Sequence, residues 1–178
     1  MNHAAETQGD GSVTARMPDL DWNGIAERLD QEGFAVVSGL LDGETCAALV
    51  HDYDDDHRYR NRVIMARHGF GRGEYKYFGN PLPPVVAELR AALYPPLSGI
   101  VNRWNEALGL DKRFPETLAA YLEACHAAGQ TKPTPLILNY KADDYNCLHQ
   151  DLYGEMVFPL QAAILLSRPA KNFRAVNS

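Results

Sequence analysis

Leu138 to Gln161 reads LNYKADDYNCLHQDLYGEMVFPLQ, and within it His149 and Asp151 stand two positions apart. In an extended strand successive side chains turn to opposite faces, so residues i and i+2 project the same way and can reach one metal ion. A neutral imidazole and a carboxylate are two thirds of the two-histidine, one-carboxylate set that holds Fe(II) on one face and leaves positions open on the other. The plainer alternative is a solvated surface strand that carries both residues for solubility, and the pair alone does not decide between them.

The segments around this stretch set its context. After the breaker-rich Thr131 to Pro135, three runs read as extended: Leu136 to Tyr140, Tyr145 to Tyr153 and Met156 to Leu166. Upstream the pattern is helical. Asp21 caps a helix with Trp22, Ile25, Ala26 and Leu29 on one face, and Gly33 ends it. Phe34 to Val37 reads as a short strand before the Ser38-Gly39 turn, and Asp42 starts a second helix bearing Cys46, Leu49, Val50 and Tyr53. From Arg58 to Asn80, glycines at 69, 71, 73 and 79 interleave with aromatic residues, which predicts a hairpin or loop. Either its alternating Tyr75 and Tyr77 cover the core, or it forms an aromatic lid. Pro81, Pro83 and Pro84 open a third helix that Pro95-Pro96 are expected to end. A fourth follows from Leu97, with Trp104 in its buried stripe, and a fifth carries Leu118, Tyr121, Leu122 and Cys125.

Helices followed by strands predict an α+β domain in which residues 21–130 give helical support and residues 134–168 the first strands of a sheet, behind a disordered leader over residues 1–20. At 178 residues the chain suits one domain with a sizeable core. Its formal net charge of -6 gives no diffuse attraction to phosphate backbones, so nucleic acid is unsupported as a partner by charge. The best basic candidate, Arg58, Arg60, Arg62, Arg67 and Arg72, directly follows Asp52 and Asp54 to Asp56. Cys46, Cys125 and Cys147 are odd in number and scattered, which argues against a disulfide framework and suits a reducing cytoplasm. No run of about 20 apolar residues is present to span a bilayer. The run His51 to His57, HDYDDDH, could approach a cation, although such runs are more often solvated acidic faces.

The flanking residues go further than the pair. Asp144-Tyr-Asn-x-Leu-His149-Gln-Asp151-Leu-Tyr-Gly-Glu155, then Phe158-Pro-Leu-Gln161 and Leu165-Leu-Ser-Arg-Pro169, resemble a bacterial, prolyl-hydroxylase-like branch of the 2-oxoglutarate and Fe(II)-dependent oxygenases. Gly73-Glu-Tyr-Lys-Tyr-Phe78, Pro81-Leu-Pro83 and Leu93-Tyr-Pro95 match that branch too. The resemblance implies a double-stranded β-helix of jelly-roll type braced by helices, with His149 and Asp151 as catalytic metal ligands and Tyr140 helping to hold 2-oxoglutarate. Fe(II), 2-oxoglutarate and O2 are the implied cofactor and co-substrates. The implied reaction couples decarboxylation of 2-oxoglutarate to hydroxylation of an unactivated C–H bond. The branch has been labelled as acting on damaged, methylated DNA.

The family pattern also needs a second histidine and a 2-oxoglutarate-binding arginine well after the His-x-Asp. All six histidines, His3, His51, His57, His68, His126 and His149, precede Asp151, and Arg168 and Arg174 lie too early. The expectation is therefore a C-terminally truncated oxygenase that is inactive as it stands, or else a non-catalytic remnant that folds or binds a partner. Its apolar Met156, Phe158, Leu160, Ile164 and Leu166 are expected to lack anything to pack against. A shifted reading frame is one hypothesis for the ending, and DNA past Ser178 that continues in frame without further resemblance would refute it.

Overall fold

A computed structural model describes residues 17–152 and 154–167. The leader up to residue 16, Tyr153, and the terminal segment with Arg168 and Arg174 lie outside them. The first two helices form where their caps predict. In α1 (Trp22–Glu32) the Asp21 carboxylate accepts the Gly24 N–H at 2.9 Å, and Gly33, at φ +77°, closes the helix by donating to the Leu29 carbonyl. In α2 (Gly43–His51) Asp42 accepts from Thr45 at 2.7 Å. Packing begins ahead of Asp21, because Met17 is already buried beside Leu89.

The third and fourth expected helices are one. α3 runs unbroken from Pro84 to Ala107 with Pro95 and Pro96 inside it. A proline's fixed φ is helical, and its cost is a lost N–H bond and a clash with the preceding turn. Both flanks of this pair are held by burial, Leu89 and Tyr94 before it and Ile100 and Val101 after it, so the helix continues. Ser98, also buried, donates its hydroxyl to the Pro95 carbonyl at 2.9 Å. The last helix, α4 (Leu118–Ala127), starts at Thr117, whose hydroxyl accepts from Ala120.

β1 (Tyr59–Ile64), β2 (Glu74–Phe78) and β3 (Leu136–Asn139) form an antiparallel sheet in that order. The register sets Lys76 between Arg62 and Ile137, and Glu74 between Ile64 and Asn139. The fold is thus mixed α/β with a small three-stranded sheet. The Arg58 to Asn80 region is a hairpin, as expected, but its faces are exchanged. Lys76 and Phe78 are the buried residues of β2, whereas Tyr75 and Tyr77 are half-buried on the opposite face.

Three expected strands form no ladder among the described residues. Phe34 to Val37 is irregular and Phe34 and Val36 are exposed, since no neighbouring strand meets their backbone. Tyr145 to Leu152 contributes one isolated bridge, Gly71 to Asn146, and the run from Met156 to Leu166 contributes none. The latter run is not left without packing either. Met156, Phe158 and Leu160 lie against Tyr94, Phe114 and Tyr121, and Leu166 against the cluster of Tyr53, Phe78 and Ile137. Apolar side chains without a facing sheet have collapsed onto the helices instead.

α3 joins these clusters. Val86 reaches the sheet, Leu89 packs with Met17, and Tyr94 and Val101 meet α4 and Phe114. The segment that bears Phe158 is therefore fixed to the helical side of the molecule, and this decides where the next residues fall.

Candidate metal centre

The tip of the β1–β2 hairpin grips the segment that carries His149. Arg72 N–H donates to the Tyr145 carbonyl at 2.7 Å, and Cys147 N–H donates to the Phe70 carbonyl at 2.8 Å. Gly71 lies between them at φ +123°, and a Cβ there would come within 2.2 Å of the Tyr145 carbonyl oxygen. Only glycine lets the two backbones approach so closely. Before this contact the chain turns at Lys141–Asp144, where the Asp144 carboxylate accepts the Lys141 N–H at 2.8 Å.

Beyond Cys147 the chain is irregular, with a bend at Leu148, and the side chains of His149 and Asp151 come together. His149 Nδ1 lies 2.7 Å from the Cys147 carbonyl. A carbonyl only accepts, so Nδ1 carries the proton and donates it. The other nitrogen, Nε2, lies 3.3 Å from Asp151 Oδ1. In that tautomer Nε2 presents a lone pair toward the carboxylate, so the two groups form a pair of donors to a cation. Cis ligands about 2.1 Å from an octahedral metal are about 3 Å apart, so the pair fits two adjacent positions on one ion. Both side chains are open to solvent, 46% and 40% exposed, which leaves room for an ion to enter.

Asp151 has a second partner that sequence spacing did not reveal. Gln161 Nε2 donates to Asp151 Oδ2 at 2.7 Å, ten residues along the chain. Gln161 stood in the Phe158-Pro-Leu-Gln161 likeness without a role, and nothing local in the sequence marks it.

Tyr140, the third expected site residue, belongs to the hairpin contact. Its ring lies so near Gly73 that a Cβ there would come within 2.7 Å of it. Burial raises its phenol pKa, the Asp144 carboxylate raises it further, and a hydrogen bond with Asn146 works the other way. The geometry places Tyr140 against the glycine-rich tip.

The acidic run from His51 is an ion-paired corner. Asp52 and Asp55 pair with Arg58 at 3.0 and 3.2 Å, and Asp56 pairs with Lys76 at 2.8 Å. Sequence reading missed Lys76, which is 3% exposed. Its ammonium donates to the Tyr53 carbonyl at 2.7 Å and lies 4.4 Å above the Tyr53 ring. Its only signal was a lysine alternating with aromatics in a strand. Lys76, Tyr53, Arg62, Glu74 and Asn139 line a cleft of about 460 Å³, but Arg62 is paired with Glu74 and Lys76 with Asp56. Among the described residues no group of three or more His, Cys, Asp or Glu converges on one point. No helix among them is long and apolar enough to cross a membrane.

Residues 73–177 match the sequence model of the family Oxygenase-NA, described as "Oxygenase, catalysing oxidative methylation of damaged DNA". The chain belongs to this oxygenase family. The Oxygenase-NA match takes in β2, β3, the His149 segment and Gln161, and so agrees with the oxygenase expectation at family level. Two uncharacterized proteins of Mycobacterium tuberculosis, one from strain CDC 1551 / Oshkosh and one from strain ATCC 25618 / H37Rv, are each 49% identical to the chain over 96 residues. The likeness covers 54% of this Oxygenase-NA chain and 41% of each relative, so it spans well under half of their length. No solved structure matches it.

Proposed function

We propose that this chain supplies two ligands of an Fe(II) centre in a 2-oxoglutarate-dependent oxygenase of jelly-roll type. The observation that carries the reading is the geometry at His149. Its Nδ1 proton is committed to the backbone, and its Nε2 lone pair faces Asp151 Oδ1 at 3.3 Å. When bound, the metal would supply O2 activation coupled to decarboxylation of 2-oxoglutarate.

The Cys147 carbonyl fixes the tautomer of His149, as partners of metal-binding histidines do. Asp151 contributes negative charge to the cation, and the hairpin tip holds the segment that leads into His149. Tyr140 is proposed as a donor to the far carboxylate of 2-oxoglutarate, which rests on the family resemblance. With two converging ligands among the described residues, the chain alone is expected to hold Fe(II) weakly and to release little succinate. Damaged DNA, named in the family description, is proposed as a substrate class. It would need a local basic contact, because the net charge of -6 gives no general attraction.

Anaerobic Fe(II) titration with 2-oxoglutarate, followed by the weak visible charge-transfer band and by succinate release in air, tests this. The expected result is a band that disappears in His149→Ala and Asp151→Ala. Absence of metal binding by the full chain at millimolar Fe(II), or binding unchanged in both variants, overturns it.

A second reading has one observation behind it, the lack of a third converging ligand among the described residues. In it the chain binds a partner without turnover. Metal binding that depends on His149 and Asp151 but gives no succinate at any Fe(II) concentration would favour it.

A further inference from the structure

We propose that Gln161 is a positioning residue of the metal centre. It would tie up one oxygen of Asp151 so that the carboxylate meets the ion through the other. This rests on the reading of His149 and Asp151 as metal ligands.

The two oxygens of Asp151 have different neighbours. Oδ2 accepts from Gln161 Nε2 at 2.7 Å, and Oδ1 faces His149 Nε2 at 3.3 Å. A carboxylate without such a restraint can rotate, swing into solvent, or chelate through both oxygens. An amide donor on Oδ2 removes those options without placing a second charge beside the ion.

Gln161 can hold Asp151 only if it is itself held, and the chain just before it is. Phe158 lies among Tyr94, Phe114 and Tyr121, with ring centroids 5.3, 5.0 and 5.9 Å away. Met156 is fixed through its backbone at both ends. Its N–H donates to Gln130 Oε1 at 2.8 Å, and its carbonyl accepts from the Tyr121 hydroxyl at 3.2 Å and Gln130 Nε2 at 3.3 Å. Two residues separate Phe158 from Gln161, and Leu160 packs on the same cluster, so the amide is carried by a segment seated on the helices. His149, by contrast, is held from the sheet side through Phe70 and Arg72. The two ligands are thus supported from opposite parts of the molecule, and the Gln161 hydrogen bond is the link that closes the arrangement. Partners of this kind commonly change metal affinity by about 10-fold or more.

The test uses Co(II), whose d–d absorption reports ligand number and geometry, bound to the full chain. Gln161→Met keeps the length and removes the donor. The expectation is at least about a 10-fold weaker Co(II) dissociation constant and an altered d–d spectrum, with thermal unfolding little changed. A role in packing alone would leave both Co(II) readouts at the wild-type value in this variant, and that result overturns the proposal. Gln161→Glu keeps the shape but replaces a donor by an acceptor, so it serves if the methionine variant does not fold. Wild-type Co(II) affinity in Gln161→Glu would overturn the proposal equally. His149→Ala and Asp151→Ala separate the two levels. If both lose Co(II) while Gln161→Met keeps it, only the positioning role fails; if neither loses it, the metal-centre reading fails and this proposal with it.

Discussion

Phe158 and Phe114 meet edge to face, with ring centroids 5.0 Å apart and planes at 79°. Tyr121 closes the group from α4, and Tyr94 joins from α3, its phenol pushed up to about 12 by burial. The contact ties the run after residue 155 to the helices. Phe158→Ala should lower stability by about 2–3 kcal/mol, from lost apolar burial and lost ring pairing. It should also release Gln161, so a weaker Co(II) affinity should accompany the lower chemical-denaturation midpoint. A variant that loses stability but keeps full affinity would show that the two are uncoupled.

Gly71→Ala tests the hairpin grip. The new methyl would sit 2.2 Å from the Tyr145 carbonyl oxygen, on a residue already at φ +123°. The cost should be about 1–3 kcal/mol. Amide hydrogen exchange should quicken first at Cys147, whose N–H donates to Phe70. Unchanged protection at Cys147 would mean that the tip does not restrain the ligand segment.

Acid should weaken the corner around Lys76. The Lys76 ammonium holds the Asp56 carboxyl below its ordinary range by a hydrogen bond and by charge. For Glu74, burial pushes the pKa up, but hydrogen bonds from Arg62 and Tyr53 outweigh it and the net shift is downward. A carboxyl with a depressed folded-state pKa adds stability that is present above its unfolded pKa and lost as pH falls through the folded one. Stability should therefore be level near neutrality and decline below about pH 4. Lys76→Met should make the decline shallower, as read by unfolding midpoints measured from pH 7 to pH 3. An equally steep decline in that variant would remove Lys76 as its cause.

Asn102 in α3 mimics a strand neighbour for Phe114. Its amide donates to the Phe114 carbonyl at 2.9 Å, and its oxygen accepts the Phe114 N–H at 2.7 Å. Asn102→Ala leaves both backbone groups without these partners, and should cost about 1–3 kcal/mol in urea unfolding. Asn102→Asp should recover only the accepting half.

Gly99 should behave in the opposite direction. It lies exposed inside α3, and a Cβ there meets nothing within 4 Å. Gly99→Ala should raise stability by about 0.5–1 kcal/mol through the entropy of the unfolded chain. A lower melting temperature would indicate that α3 needs flexibility just after its two prolines.

Much of the helical half was legible because its signals are local. Asp21 and Asp42 accept from the residues three ahead, and Gly33 stops α1, whatever the rest of the chain does. The prolines at 95 and 96 misled for the converse reason: a local penalty was outweighed by burial on both sides of them. Strands were harder, since a strand exists only through a partner. Leu136 to Asn139 found β2, whereas Phe34 to Val37 found none among the described residues.

The sequence by itself determined the His149–Asp151 spacing, the glycine at 71 and the family likeness, because each is written in neighbouring residues. Tertiary structure alone decided that Lys76 rather than its tyrosine neighbours is buried, and that Gln161 reaches Asp151. Those contacts join residues twenty and ten positions apart, respectively, for Lys76 with Asp56 and Gln161 with Asp151. No short-range periodicity encodes them. They follow from how the sheet and the helices divide the available apolar surface, a property of the whole packed chain.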